Sequence, residues 1–144
     1  MALEYNDVKR LSKMIEGLQT MIDKVKVSAV DEIGKRLNNR VKKATPVGKS
    51  YELKNGKKHT GGHLRRNWKP KPAKLRGGPG SQAVGGLYNI VEYAPYVEFG
   101  HRIVRNGKTV GWVPGKHMLA TSEAKTSKEM VKIIDIELRK MGFK

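Results

Sequence analysis

Apolar residues recur along the first third of the chain at Leu11, Ile15, Leu18, Ile22, Val25, Ala29, Ile33, Leu37, Val41 and Ala44. Steps of three and four keep such a stripe on one helical face, so the pattern predicts a single long helix. Asn6 or Asp7 is placed to cap its start. Thr45-Pro46 stops it, because proline disfavours helical geometry in the residue before it. At 1.5 Å per residue the helix would be about 55–60 Å long. A compact chain of this size has a radius of gyration of only about 14–15 Å. Either the helix breaks near Gly34, or one end projects and its stripe is covered by another subunit.

Residues 45–63 read as a loop, punctuated by Gly48, Asn55-Gly56 and Gly61-Gly62. Leu64 to Lys71 reads as a strand carrying Trp68, and Val84 to Glu92 as a second. Between them Pro70, Pro72 and Gly77-Gly78-Pro79-Gly80 make a flexible stretch. Ile103 to Val110 places two short strand-like runs around Asn106-Gly107, the strongest short-range signal for a type I′ hairpin. From His117 to Met141 a final helix follows, with Ala120, Ala124, Val131, Ile134, Leu138 and Met141 on one face and Gly142 after its end. The order predicts an α+β fold: a long N-terminal helix, a small antiparallel sheet of three to four strands with a hairpin, and a C-terminal helix packed on the sheet. One domain over 1–144 is expected, divided into the long helix (1–44), a basic loop and first strand (45–80), sheet and hairpin (81–116) and C-terminal helix (117–144).

Charge changes this picture. The net charge is +17, and residues 35–80 hold fifteen basic side chains against one acidic, Glu52. Residues 1–34 are close to neutral. A block this basic needs a counter-charge in the assembled state, either nucleic-acid phosphate or an acidic protein surface. No apolar run is long enough for a transmembrane helix, and the start lacks the pattern of a secretory signal. A membrane partner is therefore not expected. Zero cysteines exclude disulfides, thiolate catalysis and zinc ribbons. A cytoplasm-like compartment, or a particle assembled there, suits the chain.

Candidate chemistry is sparse. Gly48-Lys49-Ser50 lacks the upstream glycine and the preceding strand of a phosphate loop. His59 and His63 flank two glycines and have no Cys or acidic neighbour to complete a metal site. His101 and His117 are read as hydrogen-bonding turns. Glu92 and Glu98 are read as ion pairs with surrounding Lys and Arg rather than as an acid–base pair. No Asp lies between Asp31 and Asp135 to complete a Ser-His-Asp arrangement. The expectation is no catalytic, cofactor or metal site, no small-molecule substrate and no enzymatic activity.

Two groups of residues are candidates for partner contact. Lys49, Lys54, Lys57, Lys58, Arg65, Arg66, Lys69, Lys71, Lys74 and Arg76 could face an acidic partner or DNA. Trp68 lies among them, and basic residues with an interleaved aromatic suit sequence-independent nucleic-acid binding. One Trp is too few for a stacking platform, so Trp68 is read as core. The second group is a shaped, apolar block: Tyr93, Ala94, Pro95, Tyr96, Val97, Glu98, Phe99 and Gly100, continued by Pro114, His117 and Met118.

These pieces carry a resemblance. Thr45-Pro46-Val47, Thr60-Gly61-Gly62-His63-Leu64-Arg65-Arg66-Asn67-Trp68, Tyr93-Ala94-Pro95-Tyr96-Val97-Glu98-Phe99-Gly100-His101 and Gly111-Trp112-Val113-Pro114-Gly115-Lys116-His117-Met118-Leu119 occur in this order. The order resembles the tail-component family of lambdoid and related long-tailed phages and prophages, whose members are minor tail, tail completion or head–tail joining (neck) proteins. The likeness runs from about residue 45 to 120. Gly48 stands where the family commonly has Asp, and about a dozen residues are inserted before Thr60. The resemblance implies a structural protein at the head–tail interface of the virion, assembled in the host cytoplasm. Its implied partners are other tail and connector proteins, further copies of itself in a ring, and DNA in the central channel. It also implies that Tyr93, Tyr96, Val97 and Phe99 alternate between core and a neighbouring surface, that Gly100 turns the chain into the hairpin, and that Pro114 to Met118 launch the last helix. A free-standing nucleic-acid-binding module using residues 35–80 is the alternative.

Overall fold

The computed structural model describes residues 5–78 and 80–143. Helix α1 (Tyr5–Ala44) runs unbroken through Gly34. Its 40 residues span about 60 Å. The capping roles expected of Asn6 or Asp7 concern side chains outside those described. Thr45 closes the far end: its N–H and hydroxyl both donate to the Val41 carbonyl, at 2.8 and 2.6 Å. Trp68 Nε1 in turn donates to Thr45 Oγ1 at 2.9 Å. Thr45 is fully buried, so its hydroxyl gives the buried Trp68 N–H an acceptor while its own proton goes to the helix end.

The segment expected as a loop contains a narrow ribbon, β1 (Tyr51–Glu52) against β2 (Lys58–His59), turning at Asn55-Gly56. A single-turn helix α2 (His63–Arg66) follows, then β3 (Trp68–Arg76) and β4 (Gln82–Asn89), paired antiparallel. Helix α3 (Ala94–Phe99) leads into β5 (Gly100–Arg105), which pairs with β6 (Lys108–Pro114). Asn106 and Gly107 turn this hairpin at φ 51° and 75°, both positive as a type I′ turn requires. Helices α4 (Met118–Ser127) and α5 (Met130–Lys140) complete the chain.

The fold is α+β, but three expectations change in detail. Among the described residues the strands form three separate two-stranded ribbons, not one sheet. Helix α2 lies between β2 and β3 and helix α3 between β4 and β5, so each ribbon pairs only within itself. Leu64 lies on α2, where it is buried, so the expected strand starts only at Trp68. The terminal helix is two helices, and both pack along α1 rather than on a broad sheet. Glu129, between them, bonds Arg40 at 2.6 Å and lies 3.6 Å from Arg36, both on α1.

The main core joins Val41, Leu64, Trp68, Val91, Ala94 and Met118 around the C-terminal end of α1. Val25, Ala29 and Ile133 are buried further along α1 and on α5. Before Val25 the stripe is uncovered: Val8, Leu11, Ile15, Leu18 and Ile22 are all exposed. Of the two alternatives for a helix this long, the structure adopts the projecting end.

Candidate assembly surfaces

The two shaped motifs meet in one clasp. Pro95 occupies the first turn of α3, where a missing N–H costs nothing. Helical geometry puts Ala94 and Glu98 inward and leaves Tyr93, Tyr96 and Phe99 exposed, with Val97 packed on the core. These residues do split between core and surface, but with helical period rather than strand alternation. Glu98 is buried, and its carboxylate accepts from the backbone N–H groups of Leu119 (3.0 Å) and Ala120 (3.1 Å). Those are orphan donors of the first turn of α4, where negative charge is favoured by the helix dipole. Glu98 is therefore a helix cap supplied from another helix, and not the ion pair expected of it.

Backbone contacts reinforce the clasp. Lys116 N–H donates to the Val97 carbonyl at 2.8 Å, and His117 N–H to that of Glu98 at 3.1 Å. Gly100 and Gly115 cross here. A Cβ on Gly100 would stand 2.4 Å from the Val113 oxygen, and one on Gly115 would stand 2.3 Å from the Glu98 oxygen. Only glycine permits that approach. His117 adopts a left-handed conformation, φ 47°, at the residue before α4. Met118 next to it is 1% exposed and enters the core. The sequence placed these residues in one block; only the fold shows that Glu98 is what binds its halves.

The basic candidates divide between two ribbons and the helix α2 that lies between them in the chain. Lys49, Lys54, Lys57 and Lys58 are exposed on or beside the β1–β2 ribbon. Arg65 and Arg66 hold the preceding segment: Arg65 donates twice to the Thr45 carbonyl, at 3.1 and 2.7 Å, and Arg66 once to that of Gly61 at 2.8 Å. Lys69, Lys71, Lys74 and Arg76 are exposed on β3. Simple alternation would send Lys69 and Lys71 to one face and Lys74 and Arg76 to the other. A register shift between Lys71 and Lys74 prevents that. It brings both pairs to the face opposite the buried Trp68 and Ala73. The Ala73 N–H donates to Asp31 of α1 at 2.7 Å, so the helix fixes the bulge. Across the ribbon, Lys69 faces Tyr88 and Lys74 faces Val84, both exposed. Tyr88 is the aromatic on this basic face, a position the sequence reading did not single out; its alternation with Leu87 and Asn89 was the available signal.

Exposed apolar groups mark three further places. Ile90 and Phe99 are 65% and 69% exposed at a groove of about 470 Å³, floored by Trp68, Leu87 and Val91. Tyr96, exposed on the same helix as Phe99, meets the His101 ring edge-on, with centroids 6.0 Å apart. The β5–β6 hairpin exposes Val104, Val110 and Trp112. The projecting half of α1 is the third. Of the expected histidine pair, the His59 side chain lies outside the described residues. Among the described residues no group of three or more His, Cys, Asp or Glu is placed to hold a metal ion, and no helix is long and apolar enough to cross a membrane.

A family model described as "Bacteriophage HK97-gp10, putative tail-component" matches residues 9–100. No curated protein and no solved structure matches the chain. The match takes in α1, where the motif resemblance was not found, and ends at Gly100, so Glu98 lies inside it and the α4 amides that Glu98 caps lie beyond it. Covering nearly two thirds of the sequence, it shows that the chain belongs to the HK97-gp10-like family of phage tail components.

Proposed function

We propose that this chain is a non-enzymatic structural protein of the head–tail interface, completing the tail end or neck as a ring of identical copies. The observation that carries this reading is the clasp: it fixes a rigid body whose aromatic groove and apolar hairpin remain exposed. Contiguous exposed apolar patches of this kind mark protein contacts. The groove and the hairpin are different surfaces, and a contact between unlike surfaces on identical copies closes into a ring when the rotation allows. Tail and connector proteins would supply the remaining contacts, and the virion, assembled in the host cytoplasm, would be its location. The basic face of β3 would turn towards acidic partners or the DNA channel.

The test is particle assembly without this chain. Electron microscopy should find heads and tails that do not join, restored by the wild-type protein. It should not be restored by a variant with Phe99→Asp and Trp112→Asp. Normal joining in the absence of the chain would overturn the reading. A second reading, a nucleic-acid-binding module, is favoured by the bulge that aligns Lys69, Lys71, Lys74 and Arg76 beside Tyr88. It requires DNA affinity at physiological salt with a logarithmic salt slope of about −0.9 for each phosphate neutralised on duplex DNA.

A further inference from the structure

The exposed part of α1 differs in pattern from the buried part. Val8, Leu11, Ile15, Leu18, Ile22 and Val25 follow strict alternating steps of three and four. That is the heptad spacing of a helix that packs on another helix, with Val8, Ile15 and Ile22 at one seam position and Leu11, Leu18 and Val25 at the other. From Ala29 the steps lengthen to four, through Ile33, Leu37 and Val41, and this part packs on the rest of the chain. The change of period therefore coincides with a change of partner. Leu11, Met14, Ile15 and Leu18 are 51–60% exposed, far above what a seam side chain tolerates alone.

We infer that residues 8–25 of α1 pair antiparallel with the same residues of a second copy. Three features of the structure choose this occupant and direction. First, Val25 and Ala29 lie on the same face as the exposed seam and are buried by the body of their own subunit. Parallel helices would drive two bodies into the same space between them; antiparallel helices place the bodies at opposite ends. Second, the seam has unlike flanks: Met14 and Met21 on one side, Ser12 and Gln19 on the other. A two-fold axis across the helices sets each flank against its own counterpart, methionine on methionine and polar on polar. Parallel packing would set methionine against polar side chains. Third, the seam runs on into an open groove of about 500 Å³, lined by Val25, Ala29, Met130 and Ile134.

In the register that matches the seam, Leu11 meets Ile22 of the second copy, Ile15 meets Leu18, and Val8 arrives at the mouth of that groove beside Val25. The exposed seam and its methionines amount to roughly 700 Å² per copy, against about 800 Å² per partner in a standard interface. The pairing stands independently of the place in the virion and uses a surface that the ring contact does not.

The chain has no cysteine, so introduced thiols report the register directly. In the full-length protein, Leu11→Cys with Ile22→Cys should give covalent dimers on oxidation, while either substitution alone should leave monomers on a denaturing gel. The wild-type chain should sediment as a dimer, and Leu18→Lys should weaken self-association about tenfold or more, for the loss of a buried leucine contact. Leu18→Lys should retain the near-ultraviolet signal of the buried Trp68, showing that the body is folded. Efficient cross-linking by Leu11→Cys alone would establish a parallel seam and overturn the inference. So would a wild-type chain that sediments as a monomer. Rings in which the double variant does not cross-link would overturn the pairing and leave the ring reading standing.

Discussion

Replacing Glu98 with alanine removes the cap that joins α3 to α4. Two charge-assisted hydrogen bonds are lost, each worth about 1.5–3 kcal/mol net of the exchange with water. Glu98 is buried, and the cost of burying a carboxylate holds each bond to the lower end of that range. The favourable interaction with the helix dipole adds about 0.3–1 kcal/mol. The net loss for Glu98→Ala is about 2–4 kcal/mol, at or above the roughly 2 kcal/mol that marks the top of the range for an ordinary helix cap, because two bonds to a charge are lost together. In a chain of this size, that corresponds to a fall in Tm of roughly 8–15 °C. Glu98→Gln keeps one oxygen acceptor and should lose about half as much. Denaturant unfolding followed by circular dichroism measures the stability, and hydrogen exchange locates it. The Leu119 and Ala120 amides should exchange faster in the alanine variant, while amides of the β3–β4 ribbon should change only with the global stability. A loss below about 0.5 kcal/mol, with both amides still protected, would show that α4 is held by Met118 and the backbone contacts alone and would refute the capping argument.

Two further predictions concern carboxylates at contacts between α1 and the rest of the chain. Asp31→Ala should cost about 1–2 kcal/mol in urea unfolding, since the Ala73 N–H loses its charged acceptor, while Asp31→Asn, which keeps a carbonyl oxygen, should recover most of it. The same alanine variant should loosen the bulge, seen as faster exchange of the Ala73 amide. Glu137 is held below its usual carboxylate range, first by the Lys140 ammonium at 2.6 Å and then by the Ser28 hydroxyl. Its folded value is lower than its unfolded one, so its contribution is complete above the unfolded value of about 4.3 and is lost as pH falls through the folded value. Urea midpoints at pH 6 and pH 3 should therefore differ less for Glu137→Gln than for the wild-type chain; an unchanged difference would rule out this linkage.

Much of the local structure is legible in the residues. The three- and four-residue steps from Leu11 to Val41 gave α1, because helical period alone places those side chains on one face. Asn106-Gly107 gave the hairpin turn, because few other pairs accept two positive φ values in succession. Trp68 read correctly as core. Ala94 to Phe99 was harder, since six residues with one proline are too short for period to separate helix from strand.

What the residues could not specify depends on long-range contact. A carboxylate such as Glu98 pairs equally well with a lysine or with the amides of a helix start, and only the crossing of Gly100 over Gly115 brings α4 to it. The bulge in β3 is likewise set by Asp31, some forty residues away along the chain, and it alone decides that Lys69, Lys71, Lys74 and Arg76 share a face. The sequence by itself determined that α1 is long, apolar on one face and in strict heptads before Ala29. Tertiary structure decided how much of that face the chain can cover. Its own ribbons and helices bury that face only from Val25 onward, because the β3–β4 turn ends there, with Ser81 accepting from Lys26 at 2.9 Å and donating to Asp23 at 3.4 Å.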